Sequence, residues 1–392
     1  MRIFYAADNT LNSFFQSNLW RNNLYLSLVD LGHDVVEFRY DLRETFENLD
    51  LDDPWQRAFI NRNRPKVSAE LLRQIKAAHA EKPVDLFFSY FYDACVLPET
   101  IDKIKETGIK TVNWYCNGAH QLHRVREISP RYDSCLVPEK FRLKDYRSMG
   151  ANPLYCQEAA NPNIYKPYDL PQEFDVTFVG QAYGERPAYI RYLFDQGLDV
   201  RVWGYGWKSS ASGETKASSG IYTRISRATG KLFSQEGRSV LRRNLLRALH
   251  LQSEVVLPEK ILGEPLSDLE MIKMYSRSKI NIGFSACGDT HQSGERIVQV
   301  RLRDFEVPMS GGFYMVEYME ELEEFFTIGK EIVCYTGPED LAEKIRYYLS
   351  HDSEREAIRK AGYERCLRDH TWQKRLSNAF QQLNLPTIGT QV

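Results

Sequence analysis

The stretch that decides the reading runs from Lys279 to Tyr335, KINIGFSACGDTHQSGERIVQVRLRDFEVPMSGGFYMVEYMEELEEFFTIGKEIVCY. It reads as strand, polar loop, helix, double glycine, strand, short helix, strand. KINIGFS is an apolar run with β-branched residues, the mark of a buried strand. The loop after it holds Gly288, Asp289, His291, Ser293, Gly294, Glu295 and Arg296. A helix is expected to begin near Ile297, to contain VQVRLRDFEVPM and to stop at Ser310, Gly311 and Gly312. In α/β sheets, a polar glycine-bearing loop between a buried strand and a helix start is where anionic ligands bind. Free N–H groups point at the ligand there, and the strand's carboxyl edge opens onto a crevice.

The chain around it has 392 residues, which is long for one core and suggests two domains. Its composition is 43% hydrophobic and 27% charged, that of a folded soluble protein. A formal net charge of −2 gives no overall attraction to nucleic acid or membrane, so no nucleic-acid partner is expected. No apolar run reaches the ~20 residues of a membrane span. MRIFYAADNT reads as a strand rather than a signal peptide, and a cytoplasmic location is expected. The seven cysteines are scattered without C-x-x-C spacing, as buried thiols rather than a zinc site.

In the first half, RIFYAAD and HDVVEFRY are strands on either side of a helix near 16–31 that stops at Gly32. The loop after the first strand lacks the glycines of a dinucleotide fingerprint. Asp8, Asn9 and Asn12 are candidates there for ligand contact or for plain turn formation. Residues 41–66 show no clean period. Helices then alternate with the strands VDLFFSYF, IKTVNWYC, YDSCLVP and NPLYCQEA, which specifies a parallel, doubly wound sheet. The loop after TVNWY carries Asn117, His120 and His123 at a strand's carboxyl end. The two histidines suit acceptor binding or proton transfer, with a structural role as the alternative.

Residues 159–175 hold Pro162, Pro167 and Pro171 and form the expected domain boundary. Residues 1–165 make one Rossmann-like domain on this reading and 172–370 the other. DVTFVG then opens a second αβ set. Its loop offers Gly180, Tyr183, Gly184 and Arg186, with Pro187 in the first turn of the next helix. An arginine there suits a diphosphate; a solvated side chain is the alternative. LDVRVWGYGW ends in Gly204 and Tyr205, where a flat base can lie against backbone or ring. Residues 208–220 read as a flexible insertion. The basic stretch 221–250 is a candidate contact for an anionic surface, membrane or partner, or a solvated amphipathic helix.

Several segments, in order, carry a family resemblance. RDFEVPMSGGFYMVEY, LEEFFTIGKEIVCY, EDLAEKIRYYL and AGYERCLRDHTWQKR resemble the CgeB-like branch of group 1 glycosyltransferases, as do DVTFVGQAYGERPAYI and VRVWGYGW. The resemblance is strong over 172–383 and weaker over the first half, where TVNWYCNGAH carries it. It implies the GT-B fold, two Rossmann-like parallel-sheet domains facing a central cleft. The first domain would bind the acceptor and the second a nucleotide-diphosphate sugar, with a last helix at 371–385 packing back on the first. It implies a retaining, metal-independent hexosyltransferase without a further cofactor. Its acceptor, a carbohydrate or another small or polymeric molecule, is unspecified.

On that resemblance Glu306 matches the second carboxylate of the family's E-x7-E motif, which holds the nucleotide ribose. The position of the first carboxylate is Val298, so Glu295, Gln299 and Asp289 are its candidate substitutes. Arg303 lies one turn before Glu306 and can pair with it or reach the phosphates. Arg186, with Arg296 or Arg301, would neutralise charge on the leaving group. Asn117 stands where many relatives carry an acid. Glu306, Arg303 and His120 are thus the candidate catalytic residues. Two other readings remain at this stage: a non-catalytic nucleotide or sugar binder, or surface-layer protein, on the same scaffold, and a sugar-nucleotide epimerase.

Overall fold

A computed structural model describes residues 1–8, 17–208, 255–293 and 295–386. Asn9, Asn12, Gly294, the insertion from 209 and the basic stretch 221–250 lie outside the described residues. Among the described residues, twelve strands form two six-stranded sheets, and every pairing within them is parallel. The first sheet comprises β1 (Arg2–Ala6), β2 (Asp34–Glu37), β3 (Leu86–Ser89), β4 (Lys110–Trp114), β5 (Ser134–Val137) and β6 (Pro153–Tyr155). The second comprises β7 (Phe174–Val179), β8 (Val200–Trp203), β9 (Leu262–Gly263), β10 (Ser278–Gly283), β11 (Tyr314–Glu317) and β12 (Val333–Tyr335). Their spatial orders are β2-β1-β3-β4-β5-β6 and β12-β11-β10-β7-β8-β9. Central strands such as β1, β3 and β10 are buried along nearly their whole length, as sheets covered on both faces require.

Three expectations need correction. The helix after the polar loop spans Leu302–Met309 and does not begin near Ile297. Residues 297–301 instead double back on the end of β10: Cys287 N–H donates to the Ile297 carbonyl (2.8 Å) and Gln299 N–H to that of Ser285 (3.0 Å). Ile297, Val298 and Val300 are β-branched and fit this extended run. The stretch without a period hides the first 13 residues of a helix of 28 residues, Pro54–Glu81. Asp53 caps it, accepting from the N–H groups of Trp55 (2.8 Å) and Gln56 (3.2 Å), and Pro54 occupies its first position. The helix expected at 16–31 is a π-helical turn, Arg21–Tyr25, running into a short α-helix, Leu26–Asp30.

The segment between the sheets is clamped rather than loose. Ala160 N–H donates to the His370 carbonyl and Trp372 N–H to the Ala160 carbonyl, both at 3.1 Å. The chain thereby crosses back, and the last helix, Trp372–Gln382, packs on the first sheet. Trp372, Leu376 and Phe380 are fully buried in that sheet's core. The Trp372 ring meets Trp114 edge-on at 5.3 Å. Gly311 takes a φ of +70°, which lets the chain reverse from the Leu302–Met309 helix into β11. All seven cysteines are buried and unpaired. No described helix is long and apolar enough to cross a membrane.

This return crossing makes the stability of the first sheet depend on the chain's far end. Trp372→Ala should cost about 3–5 kcal/mol of unfolding free energy, the usual cost of emptying a buried tryptophan site. Leu367→Ala, on an exposed face of the preceding helix, should change it by less than about 0.5 kcal/mol. Urea denaturation followed by circular dichroism compares the two.

Candidate active site between the two sheets

In each sheet the chain order reverses beside its first strand, between β1 and β3 and between β7 and β10. Ligands of open parallel sheets bind beyond the strands' carboxyl ends at such reversals. Here both reversals face one cleft of about 560 Å³, lined from both sides. Small-molecule sites are typically ~300–1,000 Å³.

The second sheet's part of the cleft is built on close backbone approach. Gly204 has a φ of +139°, and a Cβ on it would lie 2.2 Å from the Gly180 carbonyl oxygen. A Cβ on Gly180 would lie 2.7 Å from the Phe178 ring and 2.9 Å from the Arg303 guanidinium. Neither position tolerates a side chain. Trp207 Nε1 donates to the Gly180 carbonyl at 2.7 Å, fixing the two loops together. Gly184 serves a different end: its N–H donates to Asp289 (3.1 Å), and its Cα nears the Gly288 carbonyl, stapling the loop after β7 to the loop after β10.

Arg186, Arg301 and Arg303 all line the cleft. Arg186 is 2% exposed, with its guanidinium 3.7 Å from the Tyr183 ring centre. It donates to the Gln181 carbonyl (3.0 Å) and the Tyr183 hydroxyl (2.6 Å). Arg301 donates to the Ala286 carbonyl, and the Nε atoms of Arg186 and Arg301 are buried without a partner. The Arg303 guanidinium lies over Phe178 at 5.6 Å. Among the described residues none of the three is ion-paired with a carboxylate. Their mutual field is visible in their neighbours. Burial draws Arg186 down to about 9 against the pull of Tyr183, and Arg301 and Arg303 add to the fall. Burial alone would raise the Tyr183 hydroxyl, yet Arg301, Arg186 and Arg303 lower it. Buried cations without counterions are costly, and a bound anion relieves that cost. The arrangement suits phosphate oxygens, which guanidinium groups hold by paired hydrogen bonds.

Glu306 lines the same cleft although it is only 2% exposed. Asn23, from the first half of the chain, donates to it at 3.4 Å and to the Tyr165 hydroxyl at 3.3 Å. Burial pushes its carboxyl up to about 7, while Tyr165, Arg303 and Asn23 act the other way. Asp304 is different in kind. It accepts from the Tyr314 hydroxyl (2.7 Å) and from Arg301 N–H (2.8 Å), which anchors the first turn of the Leu302–Met309 helix.

The cleft brings together Gly180, Tyr183, Arg186, Gly204, Tyr205, Gln299, Arg301, Arg303 and Glu306. Asp8 and Asn117 face it from the first sheet. Other candidates fall elsewhere. Arg296 is ion-paired to Glu185 (2.6 Å) and to Glu317, away from the cleft. Asp289 accepts from Gly184, and Glu295 is exposed. His120 does not line the cleft; it sits beside Gly288, and burial first, then Arg301 and Arg124, pulls its imidazole down to about 4. It is therefore neutral at physiological pH, a poor proton donor.

Sequence reasoning missed Tyr90, Tyr92, Glu158, Trp203 and Asp268, which also line the cleft. Tyr90, Tyr92 and Glu158 follow β3 and β6, so the strand-end rule applied to the loop after β4 would have found them. Asp268 has no such signal. It accepts from Asn18 N–H and Asn22 Nδ2, both at 2.9 Å, a partnership across the cleft that only folding creates.

Residues 186–381, half of the chain, match the family described as glycosyl transferase-like. No curated protein matches the chain. Among solved structures, it is similar to a sucrose-phosphate synthase from Thermosynechococcus elongatus, at 12% identity, 98% coverage of each chain and a TM-score of 0.56. It is also similar to a glycosyltransferase from Rickettsia africae ESF-5, at 12% identity, 97% coverage of each chain and a TM-score of 0.52. Anabaena Alr3699/HepE, in a structure in complex with UDP, aligns at 10% identity over 98% of this chain and 99% of its own, with a TM-score of 0.54. At such identities the likeness is one of fold, and two parallel sheets facing one cleft are the GT-B architecture. By its matched half, this chain belongs to the glycosyl transferase-like family.

Proposed function

We propose that the protein transfers a hexose from a nucleotide-diphosphate sugar to an acceptor hydroxyl, as a CgeB-like, retaining, metal-independent member of its family. The observation that carries this reading is the group of three arginines lining one cleft with no carboxylate ion pair among the described residues, close to Glu306. The diphosphate lies against Arg186, Arg301 and Arg303, and Glu306 accepts hydrogen bonds from the ribose. Tyr205, beyond Gly204, flanks the base. The likeness to a protein solved with UDP favours a uridine nucleotide.

The chemistry follows from these placements. The acceptor oxygen forms a bond to the anomeric carbon on the face from which the diphosphate leaves. The carbon–oxygen bond to the diphosphate breaks, and a diphosphate oxygen takes the acceptor's proton. No protein nucleophile is required, and the arginines stabilise the charge that develops on the leaving group. A neutral His120 outside the cleft is compatible with that route, which asks for no protein base.

UDP titrated calorimetrically into the purified protein should bind. Arg303→Ala should weaken it roughly 10- to 100-fold, the worth of one charge-assisted hydrogen bond. Equal affinity in the parent and the variant would remove Arg303 from the donor site. Binding of UDP-sugars with neither transfer nor slow hydrolysis would favour a binding protein over an enzyme.

Glu306 should trade stability for function. Its carboxyl titrates at about 7 in the folded protein against an ordinary 4.5, so the folded state holds an extra proton between those values. Its contribution to stability falls as pH rises through that window. Glu306→Gln removes the cost. It should melt several degrees higher than the parent near pH 8, with little difference near pH 4, while losing most transferase activity. Differential scanning calorimetry at the two pH values, beside an assay of UDP release, checks both halves.

A further inference from the structure

The two walls of the cleft differ in charge. Its three arginines all stand on the second sheet's side. The first sheet's side presents Trp20, Phe46, Tyr90 and Tyr92 together with the acids Asp8 and Glu158, and its described lining contains no lysine or arginine.

The aromatic part is a braced platform. The Trp20 ring lies 4.9 Å from Tyr90 and 4.7 Å from Trp114, and Phe46 meets Tyr92 edge-on at 5.6 Å. The Tyr90 and Tyr92 hydroxyls bond each other at 2.8 Å, and Asn117 Nδ2 donates to both, at 3.2 and 3.4 Å. These polar atoms are thus engaged within the wall. Glu158 is the exception. It lines the cleft, is 5% exposed, and its Oε2 is buried with no partner. Burial, then Glu139, raises its carboxyl well above the ordinary value, with Arg301 opposing and Glu306 and Asp304 adding to the rise. Burial thus disfavours the charged form of Glu158.

A phosphate or carboxylate placed here would lose water and gain no cation in exchange. A flat apolar face would stack on the platform, and a hydroxyl would meet the unpartnered Glu158 oxygen. We propose that this wall is the acceptor half-site and that it takes an uncharged hydroxyl compound with a flat apolar face, excluding phosphorylated and carboxylated acceptors. This rests on the transfer reading of the same cleft. The apolar face belongs to an aromatic group or to one side of a sugar ring, two sources with the same chemistry.

The test uses the full chain saturated with UDP, so that only the acceptor side is open. Binding of p-nitrophenyl glucoside, methyl glucoside and a hexose phosphate is measured by calorimetry. At least one of the neutral glycosides should bind about 10-fold or more tighter than the hexose phosphate. Preference for the aryl compound identifies an aromatic group as the source of the flat face, and equal binding of the two glycosides identifies the sugar ring. Phe46→Ala should weaken glycoside binding about 10-fold with the UDP affinity unchanged. Glu158→Gln, which keeps a hydrogen-bonding oxygen at that position, should bind like the parent, whereas Glu158→Ala should bind more weakly. The proposal is overturned if the hexose phosphate binds as tightly as the better glycoside, or if neither glycoside binds. UDP affinity, measured separately, keeps such a failure distinct from a failure of the donor site.

Discussion

Three guanidinium groups held in one cleft without an ion-pair partner among the described residues are the constraint on which the site depends. Such charges repel one another and lose hydration when buried. The fold offsets this with groups that carry no negative charge. The Gln181 carbonyl and the Tyr183 hydroxyl receive Arg186, the Ala286 carbonyl receives Arg301, and the Phe178 ring supports Arg186 and Arg303. Arg296 shows the opposite arrangement on the same loop, with its charge spent on Glu185 and Glu317. Paired and unpaired arginines a few residues apart separate a structural role from a binding one more sharply than their sequence positions do.

The parallel topology explains why these groups converge. Every strand of the second sheet runs the same way, so the loops after β7, β8 and β10 emerge at one edge. The glycines at 180 and 204 let two of those loops run side by side. The first sheet faces that edge because the chain is tied at several points. Asp268 holds Asn18 and Asn22, Glu306 meets Asn23, and Ala160 is bracketed by His370 and Trp372. Cleft geometry is therefore set by contacts between distant segments.

The alternation of apolar strands with helices made the two parallel sheets legible in the sequence, because buried strands leave continuous apolar runs. Arg186 was legible as a cleft residue because strand ends and helix starts can be located by pattern, whereas Arg303 and Glu306 were singled out by the family resemblance. The helix start near Ile297 was misplaced for a physical reason. Val298, Val300 and Leu302 repeat with a period that fits a strand as well as a helical face, and the choice was made by backbone bonds to Ser285 and Cys287. The first half of the Pro54–Glu81 helix lacked a clear period because much of its surface is solvated, yet the Asp53-Pro54 pair marked its start. Partnerships across the cleft, such as those of Asp268, had no local trace at all.

Valine at position 298, where the E-x7-E motif implied by the resemblance has its first glutamate, has an explanation in the same turn of chain. Val298 bridges antiparallel to Ala286, and its side chain packs with the apolar cluster on one face of the second sheet. In an extended run, neighbouring side chains point to opposite sides, so the residue next to Val298 faces the other way. That residue is Gln299, which lines the cleft with its Oε1 buried and without a partner. A carboxylate at 298 would stand partly buried beside apolar groups, at a cost in hydration. An amide at 299 places a hydrogen-bonding group in the cleft without adding a negative charge beside Glu306. On the transfer reading, the pair of acids is thus replaced by one acid and one amide, and the arginines keep an uncontested claim on the diphosphate.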